Sequence, residues 1–292
     1  MGASGRRAVG LPTMGEDVVS IERQATVATV WLDRPEARNA MGPAFWEQLP
    51  RAMAELSEDD DVRAVVVAAR GPHFSVGLDL KALGEMLPAA TGEDDGRSAG
   101  PSMAARAVAA RKGILRMQAA VTSVADCPKP VVAAVHGYCI GGGVDVISAC
   151  DIRLASADAV FSVRETRIAI VADLGSLQRL PRIISQGHLA ELAYTGKDID
   201  AGRARDIGLV NDVFPDADAV QKAAQQLAEE IAANSPLAVQ GTKAVLRACE
   251  EKSVAEGLDY VATWNAGFLQ SDDLVEAMTA FLAKRPPEFR GR

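Results

Sequence analysis

The chain has 292 residues, of which 48% are hydrophobic and 24% charged, and its formal net charge is -8. These values suit a folded chain with one large core and room for an appendage. The acidic balance argues against a nucleic-acid partner, no run of about 18 apolar residues marks a membrane span, and neither the three histidines nor the spacing of Cys127, Cys139, Cys150 and Cys249 suggests a metal centre; the thiols read as buried and reduced.

Residues 1–16 read as a disordered leader without the apolar centre of a secretory signal. Arg6 and Arg7, with no acid before Glu16, leave a transit peptide as the other reading, and the final PPEFRGR carries no peroxisomal S-K-L address. Alternation of apolar and polar residues predicts paired strands over 18–24 and 25–32, ended by Pro35. Residues 43–56 predict a helix with Phe45, Leu49, Met53 and Leu56 on one stripe. The continuous apolar runs 62–69 and 131–135 predict strands buried on both faces. Between them, 87–100 is rich in Gly, Asp and Pro and reads as a mobile loop, and 103–124 as a helix. After Gly143 come a helix, strands at 151–155 and 160–163, and helices at 174–184, 217–233, 236–250, 254–270 and 272–283, with Ser235 and Pro236 as a helix start. The expected fold class is α/β, with a core over 17–215 and a helical section over 216–292.

The segment HGYCIGGGVD, residues 136–145, follows a buried strand and precedes a helix. Gly141, Gly142 and Gly143 clear the bend of side chains, and the helix directs its partial positive end there, so an anion or oxyanion fits. A dinucleotide fingerprint would need glycine where Val146 stands, and neither a P-loop lysine nor a serine between glycines is present. A tight packing turn stays open. FSVGLDL, residues 74–80, offers a second glycine loop, and two converging amides are what an oxyanion hole requires. Asp145 reads as a helix-dipole partner or a working acid. Glu165 follows a strand, and Asp173 lies in the apolar IAIVADLG as a helix N-cap or a buried acid with raised proton affinity. Arg38, Lys81, Lys284 and Arg285 read as surface cations or a local site for a small anion.

These segments, together with RPEARNAM (34–41), CDIRLASADAVFSVRET (150–166), GSLQRLPRI (175–183) and AYTGKDIDAGRARDIGLVNDVFP (193–215), resemble the enoyl-CoA hydratase/isomerase (crotonase) superfamily. Within it, the Gly141–Asp145 run, Arg164 with Glu165, and ADLGSLQRLP (172–181) are most similar to the Δ3,5-Δ2,4-dienoyl-CoA isomerases. The resemblance implies a ββα spiral core with a helical C-terminal trimerisation section, and a homotrimer or homohexamer. It implies an acyl-CoA thioester substrate in fatty-acid β-oxidation, no metal, and no cofactor beyond the coenzyme A that the substrate carries. It implies catalytic Asp145, Glu165 and Asp173, an oxyanion hole from the N–H groups of Leu78 and Gly142, and substrate contacts at Arg38, Val76, Gly77, Asp79, Leu80, Lys81 and Gly141. The alternatives are a hydratase, in which Asp145 and Glu165 activate water, and a non-catalytic acyl-CoA-binding relative. Ala169, where the family often has glycine, and Arg167, where the subgroup carries an acid, depart from the pattern. Arginine outnumbers lysine, which suits a bacterial, cytoplasmic enzyme; a mitochondrial or peroxisomal location is expected only in a eukaryote.

Overall fold

A computed structural model describes residues 17–82 and 102–292. The expected leader and the 87–100 loop lie outside the described residues. A six-stranded sheet forms the centre, in the order β1 (Val19–Gln24), β2 (Val27–Leu32), β3 (Ala64–Ala69), β4 (Val131–Val135), β6 (Ile152–Ser156) and β9 (Asp212–Phe214). β1 and β2 form an antiparallel pair, and every later neighbour is parallel. A smaller sheet has the order β5 (Tyr138–Ile140), β7 (Val160–Ser162) and β8 (Ile199–Asp200).

Strand alternation sorts the side chains onto two faces. Ala28, Val30, Leu32, Val65, Val67, Val131, Ala133 and Val135 face the larger core cluster. That side is covered by α1 (Pro43–Glu58), α2 (Met103–Asp126) and α3 (Gly142–Ala149) through Phe45, Leu49, Met53, Val121, Val124, Val144 and Ile147. Val27, Trp31, Ala64, Val66, Ala68, Val132 and Ala134 face the other way and meet Val220, Ala224, Ala228 and Ala232 of α7 (Ala217–Ala232). Alanines at every fourth position of α7 allow close approach of helix to sheet, so the first of the C-terminal helices is an outer layer of the core. α8 (Pro236–Ala248), α9 (Val254–Phe268) and α10 (Asp272–Ala283) follow it. Among the described residues no helix is long and apolar enough to cross a membrane.

Several details differ from the sequence reading. The glycine bend does not run directly from strand to helix, because β5 intervenes and pairs with β7 through Cys139 opposite Phe161. The helix expected over 174–184 is instead α4 (Ser176–Arg179) followed by a 3-10 turn, Leu180–Arg182, that contains Pro181, whose ring blocks continuation. Gly175 is the N-cap of α4, so Asp173 is not. A helix that was not expected, α5 (Gln186–Thr195), lies between the Ser185 cap and Gly196, and α6 (Ala201–Asp206) follows the Asp200 cap. Cys127, Cys139 and Cys150 are buried as expected, whereas Cys249 is partly exposed.

Candidate active site

The strands of the central sheet deliver two loops to one place. After β3, residues 74–79 thread between the β5 segment and residues 38–41. Ser75 donates its N–H to Tyr138 O at 2.8 Å, Ile140 donates to Ser75 O at 3.0 Å, and Met41 donates to Gly77 O at 2.8 Å. The Ser75 hydroxyl closes the loop by donating to Asn39 O at 2.7 Å while accepting from Gly77 N at 3.0 Å. The fit leaves no room for side chains. A Cβ on Gly77, whose φ is +84°, would lie 2.8 Å from Ile140 O and 3.3 Å from Gly142 N. The two glycine loops therefore touch, and among the described residues neither Leu78 N–H nor Gly142 N–H has an acceptor. Gly142 is the first residue of α3, where such donors are unpaired by construction. Two free amides on touching loops are what an incoming oxyanion needs.

Three acids gather beside this pair. Asp145, in the first turn of α3, is 1% exposed, and its Oδ1 accepts from Ser176 N at 2.6 Å. Burial pushes its carboxyl up to about 6, against the pull of the Ser176 amide and the Arg179 charge, with the Asp173 charge adding to the rise. Glu165 begins the 3-10 turn Glu165–Ile168 directly after β7 and is buried. Burial pushes it up to about 7, and the charges of Asp145 and Asp173 add to the push. Its Oε2 has no hydrogen-bond partner among the described residues. Its Oε1 would lie 3.1 Å from a Cβ on Gly141, so the missing side chain at 141 is the space that admits the acid to the bend. Asp173, half-buried, is also raised by burial. The charge of Asp173 acts on both Asp145 and Glu165, and that of Asp145 acts on Glu165, which places the three carboxyls in one cluster, in which like charges cannot all ionise cheaply.

The sequence-expected binding residues divide. Gly77, Leu78, Gly141 and Gly142 build the two-loop contact, and Val76 N–H secures the loop by donating to Arg38 O at 3.2 Å. Asp79 is occupied, pairing with Arg34 at 2.8 Å and accepting from Lys81 N and Ala82 N as a helix cap; this holds its carboxyl below the usual range. The side chains of Arg38, Leu80 and Lys81 are exposed at the rim. Of the distant cations, Arg285 is paired with Glu276 at 2.6 Å. Arg167, one departure from the family pattern, lays its stem over Gly196 and donates to Thr195 O at 3.3 Å. Sequence reasoning missed Ser176 and Gln118, which reach the acids from 31 and 55 residues away, and Arg179, which folds back onto Leu174 O five residues before it. The one local signal for Ser176 and Arg179 was the GSLQRLP run itself, and Gln118 had none.

Residues 22–292 match the Enoyl-CoA hydratase/isomerase family. The chain is 43% identical over 274 residues to the peroxisomal Delta(3,5)-Delta(2,4)-dienoyl-CoA isomerase of Arabidopsis thaliana, covering 94% of this chain and 96% of that protein. It is 44% identical over 271 residues to the mitochondrial Delta(3,5)-Delta(2,4)-dienoyl-CoA isomerase of Rattus norvegicus, covering 92% and 80% respectively. Its fold resembles the crystal structure of an enoyl-CoA hydratase from Bacillus anthracis, with a TM-score of 0.83 at 29% identity over 94% of this chain and 100% of that one.

Proposed function

Since the chain belongs to the enoyl-CoA hydratase/isomerase family, we propose that it converts 3,5-dienoyl-CoA into 2,4-dienoyl-CoA. The observation that carries this reading is the third acid. Hydration of an enoyl thioester needs two carboxyls around one water, and Asp145 with Glu165 would serve. Moving two double bonds along a chain needs a proton removed at C2 and another delivered at C6. Two separated acids suit that better than one, and Asp173 supplies the further group.

In the proposed reaction the thioester oxygen accepts hydrogen bonds from Leu78 N–H and Gly142 N–H. Glu165 takes the C2 proton, and the electron pair moves into the thioester to give an extended enolate. The two amides favour this charge-bearing state over the neutral ground state, and it is that difference that lowers the barrier. Asp173, carrying a proton, delivers it to C6, and the electrons return to form the conjugated 2,4-diene. The reverse assignment of Glu165 and Asp173 satisfies the same balance. Asp145 holds the Ser176 amide and shares the cluster's charge. Burial raises Glu165 to about 7, so both of its forms are populated near neutral pH, and burial shifts Asp173 in the same direction, toward the protonated form that the delivery step uses. The scheme requires no metal and no cofactor besides the coenzyme A of the substrate. Arg38 and Lys81, cationic at the rim, suit the coenzyme A phosphates.

The exposed apolar residues Leu258, Val275, Met278, Phe281 and Leu282 of α9 and α10 support self-association through the C-terminal helices, as a trimer or hexamer. The test of the reaction is spectroscopic. Purified protein given 3,5-dienoyl-CoA should gain the absorbance of a conjugated 2,4-dienoyl thioester, and Asp173→Asn should abolish most of that rate while keeping the fold. Rapid hydration of 2-enoyl-CoA with no action on the diene would make it a hydratase. Acyl-CoA binding without turnover of either substrate would make it a non-catalytic relative.

A further inference from the structure

Asp173 and the amide that grips Asp145 lie on one short segment, residues 173–176, with little secondary structure of its own. Two side chains hold this segment from behind. Gln118 Nε2, from α2, donates to Asp173 O at 2.6 Å. Arg179 Nη1 donates to Leu174 O at 3.2 Å, and its Nη2 donates to Thr122 Oγ1, also on α2, at 2.9 Å. The guanidinium lies so close to Gly175, at φ +125°, that a Cβ there would meet Nη1 at 1.8 Å. Among the described residues Arg179 forms no ion pair, although it is half-buried. This half-buried cation gives its donors to a loop carbonyl and a helix hydroxyl rather than to a carboxylate.

We propose that Arg179, braced with Gln118 and Thr122 across α2, is a positioning residue for the isomerisation, fixing the 173–176 segment so that the Asp173 carboxyl and the Ser176 amide stay aimed at the acid cluster. The inference rests on the dienoyl reading above for the reaction but on geometry alone for the brace. The fork of Arg179 ties the loop and α2 together, as a lysine could not, because two donors in a fixed plane reach two acceptors at once. Its charge has a second effect. The groups acting on Asp145 are Ser176, Arg179 and Asp173, Asp145 in turn acts on Glu165 and on the Cys139 thiol, and those facing Arg179 are Asp145, Asp126, Glu250 and Arg247. Within that set Arg179 is the cation that keeps Asp145 more acidic, which leaves the shared proton to the other acids.

The experiment compares wild type, Arg179→Met, Arg179→Lys and Gln118→Ala. With 3,5-dienoyl-CoA, Arg179→Met and Gln118→Ala should each lower kcat by about tenfold or more while KM stays within about threefold, since misaimed acids cost turnover rather than binding. The ionisation limb of kcat against pH should move to higher pH in Arg179→Met and return toward wild type in Arg179→Lys. Carboxyl titration by 13C NMR should show the same upward movement for Asp145 in Arg179→Met, with or without turnover. If wild type ignores the diene while this titration still moves, the dienoyl reading fails and the brace stands. If folded Arg179→Met and Gln118→Ala keep wild-type kcat, or if both change melting temperature alone with the carboxyl titration unmoved, the brace is overturned. Gln118→Ala removes one hydrogen bond and no charge, so it carries the test should Arg179→Met fold poorly.

Discussion

Replacing Gly77 with alanine tests the two-loop oxyanion site at its tightest point. At φ +84° an L-residue costs about 1–2 kcal/mol relative to glycine. The added Cβ would also stand 2.8 Å from Ile140 O and 3.3 Å from Gly142 N, both backbone atoms that cannot swing aside. The 76–79 loop must therefore retreat from 140–142, and the Leu78 and Gly142 amides separate. Loss of one oxyanion donor costs about 10²–10³ in kcat, roughly 3–4 kcal/mol of barrier. Gly208 provides the control. Its φ is +82°, but its Cβ would meet nothing nearer than Ile183 O at 3.5 Å, an ordinary contact. Gly208→Ala thus incurs a similar conformational cost without touching the site. Both variants should melt a few degrees below wild type. In a steady-state diene assay Gly208→Ala should keep its kcat, whereas Gly77→Ala should lose about two orders of magnitude. A Gly77→Ala protein within about threefold of wild-type kcat, or equal losses in the two variants, would refute the reasoning.

Glu165→Gln should reveal the energetic strain of the buried acid. The folded value of about 7 lies above the usual 4.5, so the folded state holds its proton more tightly than the unfolded one, and stability falls as pH rises from about 4.5 to about 7. The glutamine variant should therefore be more stable than wild type at pH 8, by on the order of 2–3 kcal/mol, and equal to it at pH 4. Urea melts at the two pH values decide this, and a variant less stable at pH 8 would contradict it. Ala169 sits in the left-handed region at φ 58° where it ends the Glu165–Ile168 turn. Ala169→Gly should accordingly stabilise the protein by about 0.5–1 kcal/mol, read by thermal melting. Exhaustive chelation should leave diene turnover unchanged, because the proposed enolate is held by amides; a loss restored by a divalent cation would require a different electrophile.

The parts of the fold that were legible in the sequence are those with local causes. The run 131–135, introduced by Pro128 and Pro130, is a strand with the bounds read from composition, and 272–283 is a helix with the bounds read from periodicity. Tyr138–Ile140 was not legible, because three residues become a strand only by pairing with 160–162. Gln186–Thr195 could have been found, since Ser185 caps its start and Gly196, at φ +57°, ends it. The acids Asp145, Glu165 and Asp173 were singled out as candidates from their segments. Their surroundings were not, because Ser176 reaches Asp145 across 31 residues and Gln118 reaches Asp173 across 55. The placement of the acids reflects how three separate segments, α3, the turn after β7 and the braced 173–176 stretch, are packed together.

That the acids ride on separate segments has a consequence for the catalytic cycle. In the proposed reaction one carboxyl gives up a hydrogen and another gains one, so each product leaves behind an enzyme whose charge distribution is inverted. The protein that greets the next substrate must first be recharged, either by a hop between neighbouring carboxyls or by exchange with solvent. Close grouping of the three favours the hop, which would let successive turnovers recycle the same hydrogen, a trace that deuterium placed at C2 would leave at C6.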